Sequence, residues 1–143
     1  MRVLRRRLNA QRGVIAVEFA LILPLLLLIV VGTIAFGRVY SQLQVFQGAA
    51  REGARCAAVA ASSSCSIQDR IDGASGAYTP ATPASVQVGA GPVVAADSSG
   101  AGCTNATLGQ DVRVYWAQPL DLDIPFWNSV TITTNIEGVF RCE

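Results

Sequence analysis

The 143-residue chain contains no histidine and no lysine; its eleven basic residues are all arginine. The first absence removes Ser-His-Asp and Cys-His nucleophile arrangements. The second removes a lysine general base. Nor are any of the four cysteines, Cys56, Cys65, Cys103 and Cys142, spaced as CxxC. A zinc site would need widely separated thiolates with no imidazole among its ligands. Asp121 and Asp123, in "DLDIP", lack an EF-hand pattern and the six to eight oxygens calcium takes. We read them as a turn between strands. No residue is marked as catalytic, no metal or other cofactor is expected, and the chain does not read as an enzyme.

Charge is scarce and unevenly placed. Charged residues make up 15% of the chain, yet 18 consecutive residues, Phe19 to Phe36 ("FALILPLLLLIVVGTIAF"), carry none. As a helix this run reaches about 27 Å, roughly one hydrocarbon core. A soluble domain this small cannot enclose a helix that is apolar on every side, so the run reads as a membrane span in contact with lipid. Arg2, Arg5, Arg6, Arg7 and Arg12 precede it, and Arg38 alone follows closely. The positive-inside bias then predicts a cytoplasmic N-terminus and an exported remainder. Residues 14–143 hold six arginines against ten acids, a net charge of −4. A basic tail inside and an acidic exterior argue against nucleic acid as a partner.

Export gives the cysteines a role. All four follow the apolar run, and an even number in an exported segment favours disulfides. Three pairings are open; we favour the two nearest in sequence, Cys56–Cys65 and Cys103–Cys142. In the chain-entropy model a bridge closing about 40 residues stabilises by about 4 kcal/mol.

A secretory signal has a shorter apolar core and ends in a small-residue cleavage site. Here the core is too long, and Gly32, Ala35 and Gly37 form a poor site. A second oddity is Glu18, at the start of the apolar run. A carboxylate within a membrane helix costs about 3 kcal/mol near the centre and less at an interface. Glu18 either snorkels to the headgroups beside Arg12 or has a dedicated partner.

The residues around it, "RGVIAVEF", resemble a prepilin processing site: a basic leader ending in glycine, four apolar or small residues, then glutamate and an aromatic. From residue 5 to about residue 58, through "RRRLNAQRG", the proline-containing apolar run and "VYSQLQVFQGAAREGAR", the sequence is similar to the TadE-like family of small pseudopilins of the tight-adherence (Flp-type) pilus. The resemblance implies cleavage between Gly13 and Val14 by a prepilin peptidase. Glu18 and Phe19 would then be the fifth and sixth residues of the mature chain, serving recognition and assembly. The implied partners are the peptidase, other pilin or pseudopilin subunits, the pilus assembly machinery and membrane lipid. The implied location is the bacterial inner (cytoplasmic) membrane, with a periplasmic or extracellular C-terminal domain.

The helix is expected to continue beyond the membrane. Val39, Leu43, Phe46, Ala50, Ala54 and Ala57 recur at spacings of three and four, while Arg38, Gln42, Arg51, Glu52 and Arg55 lie largely off that stripe. We read it as the face that packs on a small domain. Pro24 is the one interior breaker and should kink the helix. Serine, glycine and proline dominate residues 62–85, read as loop with one short turn at Ile67–Ile71. "VQVGAGPVVAA" alternates but is broken by glycines, and residues 96–106 read as loop, with a short glycosylation-type motif at Asn105. "DVRVYWA" alternates with Val112, Val114 and Trp116 on one face. "QPLDLDIPFWN" turns the chain, and its two aromatics are either core plugs or a contact surface. "SVTITTNIEGVF" puts Val130, Ile132 and Ile136 on one half-buried face.

The expected fold class is α+β and pilin-like: a long N-terminal transmembrane helix extending outward, carrying a small antiparallel sheet of three or four strands. Its parts are a basic leader (1–13), a membrane span (14–37), an outer helical extension (38–61) and a small disulfide-bonded exterior domain (62–143). The favoured role is a minor pilin or pseudopilin. The rivals are a permanent single-pass membrane protein with an outer binding domain, and a secreted disulfide-bonded protein released by signal peptidase. Peptide mapping under non-reducing conditions should recover Cys56–Cys65 and Cys103–Cys142; free thiols in exported protein would contradict the assignment.

Overall fold

The computed structural model describes residues 2–59, 65–81, 83–123 and 128–143, with side chains from Gly13 onward. Its first element, α1 (Arg2–Ala58), is one helix of 57 residues. The helix thus begins within the basic leader rather than at Val14. Its C-terminal half forms the floor of the folded domain. Phe46, Ala50, Ala54 and Ala57 are buried, and Val39 and Leu43 pack against them, so the expected stripe is the core face. Ala49 and Ala58 widen it.

On that face lies a four-stranded sheet in the order β2-β1-β3-β4, antiparallel throughout. The strands are β1 (Ser85–Val88), β2 (Val93–Ala95), β3 (Asp111–Leu122) and β4 (Val130–Arg141). Gly89, at φ 53°, lets β1 turn back into β2. Val112, Val114, Trp116, Gln118 and Leu120 alternate inward along β3 and are buried. Phe46 of α1 meets Trp116 edge-on at 6.3 Å, a geometry that suits the ring quadrupoles. Gln118 is buried but satisfied: its Oε1 accepts the Trp116 indole N–H at 3.1 Å and the Ala81 amide at 3.0 Å.

The end of α1 is closed by the rest of the chain. A helix terminus leaves its last carbonyls without partners. Here the Cys103 amide donates to the Ala57 carbonyl at 2.8 Å and the Glu143 amide to the Ala58 carbonyl at 3.1 Å. Disulfides join Cys103 to Cys142 and Cys56 to Cys65, with Cα atoms 5.7 and 6.1 Å apart. Both are the pairs favoured from the sequence. The first holds together the two segments that cap α1.

Four readings of the sequence need correction. The short turn at Ile67–Ile71 is a nine-residue helix, α2 (Ile67–Ser75), started by Ser66, whose hydroxyl accepts the Asp69 amide at 3.3 Å. Ile67 and Ile71, one turn apart, are both buried against α1. Residues 105–107 in the supposed loop form a short 3-10 turn. The chain does not turn at Gln118: β3 continues to Leu122, with Pro119 opposite Thr133. Among the described residues no strand pairs with β3 past Tyr115 on the β1 side, so Pro119 sits on a local edge, where its missing N–H is tolerated. Finally, Val130 and Ile132 are 48% and 49% exposed although they share the inward face with buried Ile136. The aromatics Phe126 and Trp127 lie outside the described residues.

Gly138 marks the closest approach of sheet to helix. A Cβ there would run into the backbone carbonyl of Ala50, which cannot move aside without shifting α1. At Gly53 an added Cβ would meet Ile71 Cγ1 at 2.6 Å; that buried, β-branched side chain cannot turn away, but the short helix α2 that carries it can shift more easily than α1. Gly138→Ala should therefore lower stability by about 1–3 kcal/mol, the usual range for overpacking. Gly53→Ala should cost less. Thermal unfolding of the full chain in detergent, followed by tryptophan fluorescence, checks the order.

Candidate functional site

The residues singled out for processing and assembly lie together near the start of α1. Gly13, Val14, Glu18 and Phe19 are all helical and exposed. Nothing in the protein demands glycine at 13: a Cβ there would have no atom within 4 Å. Its use is therefore not in packing. A residue without Cβ instead leaves the backbone open to a partner that must approach it closely.

Glu18 lies one turn after Val14, on the same side of the helix. The positions three and four residues away are Val14, Ile15, Leu21 and Ile22, all apolar. Among the described residues Glu18 makes no hydrogen bond or ion pair. Its carboxylate thus has no partner supplied by its own helical turn.

Beyond it, α1 presents apolar side chains on every side. The helix is long and apolar enough to cross a membrane, and none of its most apolar 18-residue window is buried within the protein. The only hydroxyl in the Phe19–Phe36 run, on Thr33, donates back to the Ile29 carbonyl at 2.8 Å, which removes its need for water. Pro24 lies inside the helix, with helical residues on both sides, and has no N–H for the Ala20 carbonyl.

The other sequence candidates fall elsewhere. Asn105 is exposed in the 3-10 turn, far along the chain from the apolar half of α1. Asp121 is in β3 rather than a turn, opposite Thr131, whose hydroxyl donates to its Oδ1 at 2.6 Å. Among the described residues no three His, Cys, Asp or Glu side chains gather as a metal site. Sequence reasoning missed where Asp121 and Asp123 end up. Both line a cleft against α1 between Val31 and Gln42. That placement depends on β3 running five residues further than its alternation alone implied.

Comparison with known proteins bears on the helix. The family model described as TadE-like protein matches residues 13–55, so the resemblance seen in the motifs holds from Gly13 to Arg55, and the leader before Gly13 lies outside the match. This stretch is thereby related to a pilus-associated family. The match covers under a third of the chain and stops before the sheet. No curated protein and no solved structure matches the chain.

Proposed function

We propose that this protein is a minor pilin or pseudopilin that acts in assembly of a tight-adherence (Flp-type) pilus. Residues 1–13 are its leader and 14–37 its membrane span. Residues 38–61 extend the helix outward, and 62–143 form the exterior domain. It sits in the inner membrane with its N-terminus in the cytoplasm. A membrane-bound prepilin peptidase cuts it after Gly13, so the protein is that enzyme's substrate. Its other partners are pilin-like subunits and the assembly machinery, and Pro24 bends the span. The match of residues 13–55 to the TadE-like family supports this reading.

The observation that carries the processing step is the placement of Glu18 one turn after Val14, with only apolar residues within its helical reach. Cleavage after Gly13 creates an ammonium group at Val14. It also leaves free N–H groups at the new helix start, where a carboxylate is favoured. A carboxylate at the bilayer edge recovers part of its desolvation cost when it gains such a partner, its own or a neighbour's. A neighbour that leaves it unpaired is penalised, and this fixes the register between subunits.

A second reading, a permanent single-pass membrane protein with an outer binding domain, draws on the helix running unbroken across Gly13. The mature N-terminus separates the two. Intact mass and terminal sequencing of protein from its native membrane should show a chain beginning at Val14. A chain that retains residues 1–13 would favour the permanent anchor. Glu18→Gln should leave membrane insertion intact and reduce pilus assembly by tenfold or more, if the pair is worth about 1.4 kcal/mol. Unchanged piliation would remove the pairing role.

A further inference from the structure

The end of the β3–β4 hairpin reaches back along α1 toward the membrane. Between them lies a cleft of about 510 Å³, within the size range of small-molecule sites. It runs along α1 from Val31 to Gln42, a rise of about 16 Å. The uncharged run ends at Phe36. On the membrane placement proposed above, the cleft therefore crosses from the outer hydrocarbon layer into the headgroups. Its walls are apolar at Val31, Ile34 and Ala35 and carry Arg38 on the helix and Asp121 and Asp123 at the strand end.

These charges are not matched to one another. Among the described residues Arg38 makes no ion pair within 4 Å. Asp121 accepts one hydrogen bond, from Thr131, through Oδ1. The cleft thus offers one cation and two carboxylates among its lining residues, at the outer end of the apolar run. Next to it, Val130 and Ile132 stand about half exposed on the helix-facing side of β4, opposite Leu122 and Leu120. An aqueous location leaves that apolar exposure without a purpose, whereas at the bilayer surface it faces acyl chains.

We propose that this cleft binds the headgroup of an amine-bearing phospholipid, a phosphoethanolamine, with its phosphate on Arg38 and its ammonium between Asp121 and Asp123. The arginine fork suits a phosphate. The ammonium brings three N–H donors to two acceptor carboxylates. A choline head carries the same charge but no N–H donor, and a glycerol head brings no cation. A second copy of the chain is the competing occupant. A two-fold pair could match each Arg38 with the other copy's aspartates, but it would have to bring a second folded domain against the cleft, whereas the zwitterion answers both signs within one copy.

The test uses the full chain in detergent, titrated with phosphatidylethanolamine, phosphatidylcholine and phosphatidylglycerol, with retained lipid read by native mass spectrometry. Phosphatidylethanolamine should be retained about fivefold or more over the other two, the scale of a charge-assisted contact. Asp121→Asn with Asp123→Asn should erase its advantage over phosphatidylcholine, and Arg38→Gln should weaken retention of both. Equal retention of the three lipids, or an advantage that survives the paired aspartate change, overturns the proposal. So does a dimer that the aspartate change dissolves, which would make a second copy the occupant. The inference rests on the membrane placement, and alkaline extraction of native membranes separates the two failures. A chain stripped into the supernatant sinks the placement, while a retained chain without lipid preference sinks only the cleft.

Discussion

The C-terminal domain depends on a contact between backbones. Along α1, Ala49, Ala50, Ala54, Ala57 and Ala58 are all buried and all small, and Gly138 of β4 comes down on the carbonyl of Ala50 with no room for a methyl group. Small side chains on one element and none on the other let a sheet lie directly against a helix. The position of the sheet is then fixed along α1 as well as around it. Because α1 is also the apolar helix that emerges from the exposed run, every part of the domain has a set height above that run. The reach of the β3–β4 end to the level of Val31 and Ala35 follows from this one contact.

Close packing of alanines has a cost. Each buried methyl contributes little of the transfer energy that larger side chains supply, about 25 cal/mol per Å² of apolar area. The core has few large members, chiefly Phe46, Trp116, Leu120, Ile71 and Ile136. A domain this small gains from staples, and the two disulfides are placed where they help most. Cys56–Cys65 ties the end of α1 to the start of α2, and Cys103–Cys142 clamps the two segments whose amides cap the last carbonyls of α1. The chain-entropy contribution of the longer loop, of 39-residue separation, exceeds that of the shorter by about 1 kcal/mol.

Much of this was legible where a single periodicity governs. The stripe from Val39 to Ala57 and the alternation of Val112, Val114 and Trp116 each have one burial face, and the structure buries it. The two disulfide pairs were legible from proximity alone. The failures share a cause: local signals that tertiary context overrode. Pro119 reads as a strand breaker, yet the sheet narrows beside it and leaves its nitrogen on an open edge. Gly73 and the serines around α2 hid a helix that Ser66 and Asp69 start and that Ile67 and Ile71 anchor. Val130 and Ile132 obey the alternation and still are not buried, because the core ends above them. The processing residues were legible only as a motif, since Gly13 and Glu18 touch nothing in the folded chain.

The two ends of the uncharged run are chemically opposite, and on the proposed reading this polarity orders the life of the subunit. At the inner end stands a lone carboxylate, Glu18, whose helical neighbours offer no cation. At the outer end Arg38 faces Asp121 and Asp123 across a cleft. Each end is incomplete in isolation, and different partners complete them: a new amino terminus at the inner end, a lipid headgroup at the outer one. Since α1 is a single helix through both, the two sites cannot move independently along the membrane normal. On that reading, a move of the helix out of the membrane would take Glu18 from the bilayer and lift the cleft off the headgroups together. A lipid held at Arg38 therefore favours the membrane-stored subunit, and a salt bridge formed by Glu18 with a neighbour favours the assembled one. On the proposed reading these two electrostatic contacts, at opposite ends of one helix, would favour opposite states of the subunit.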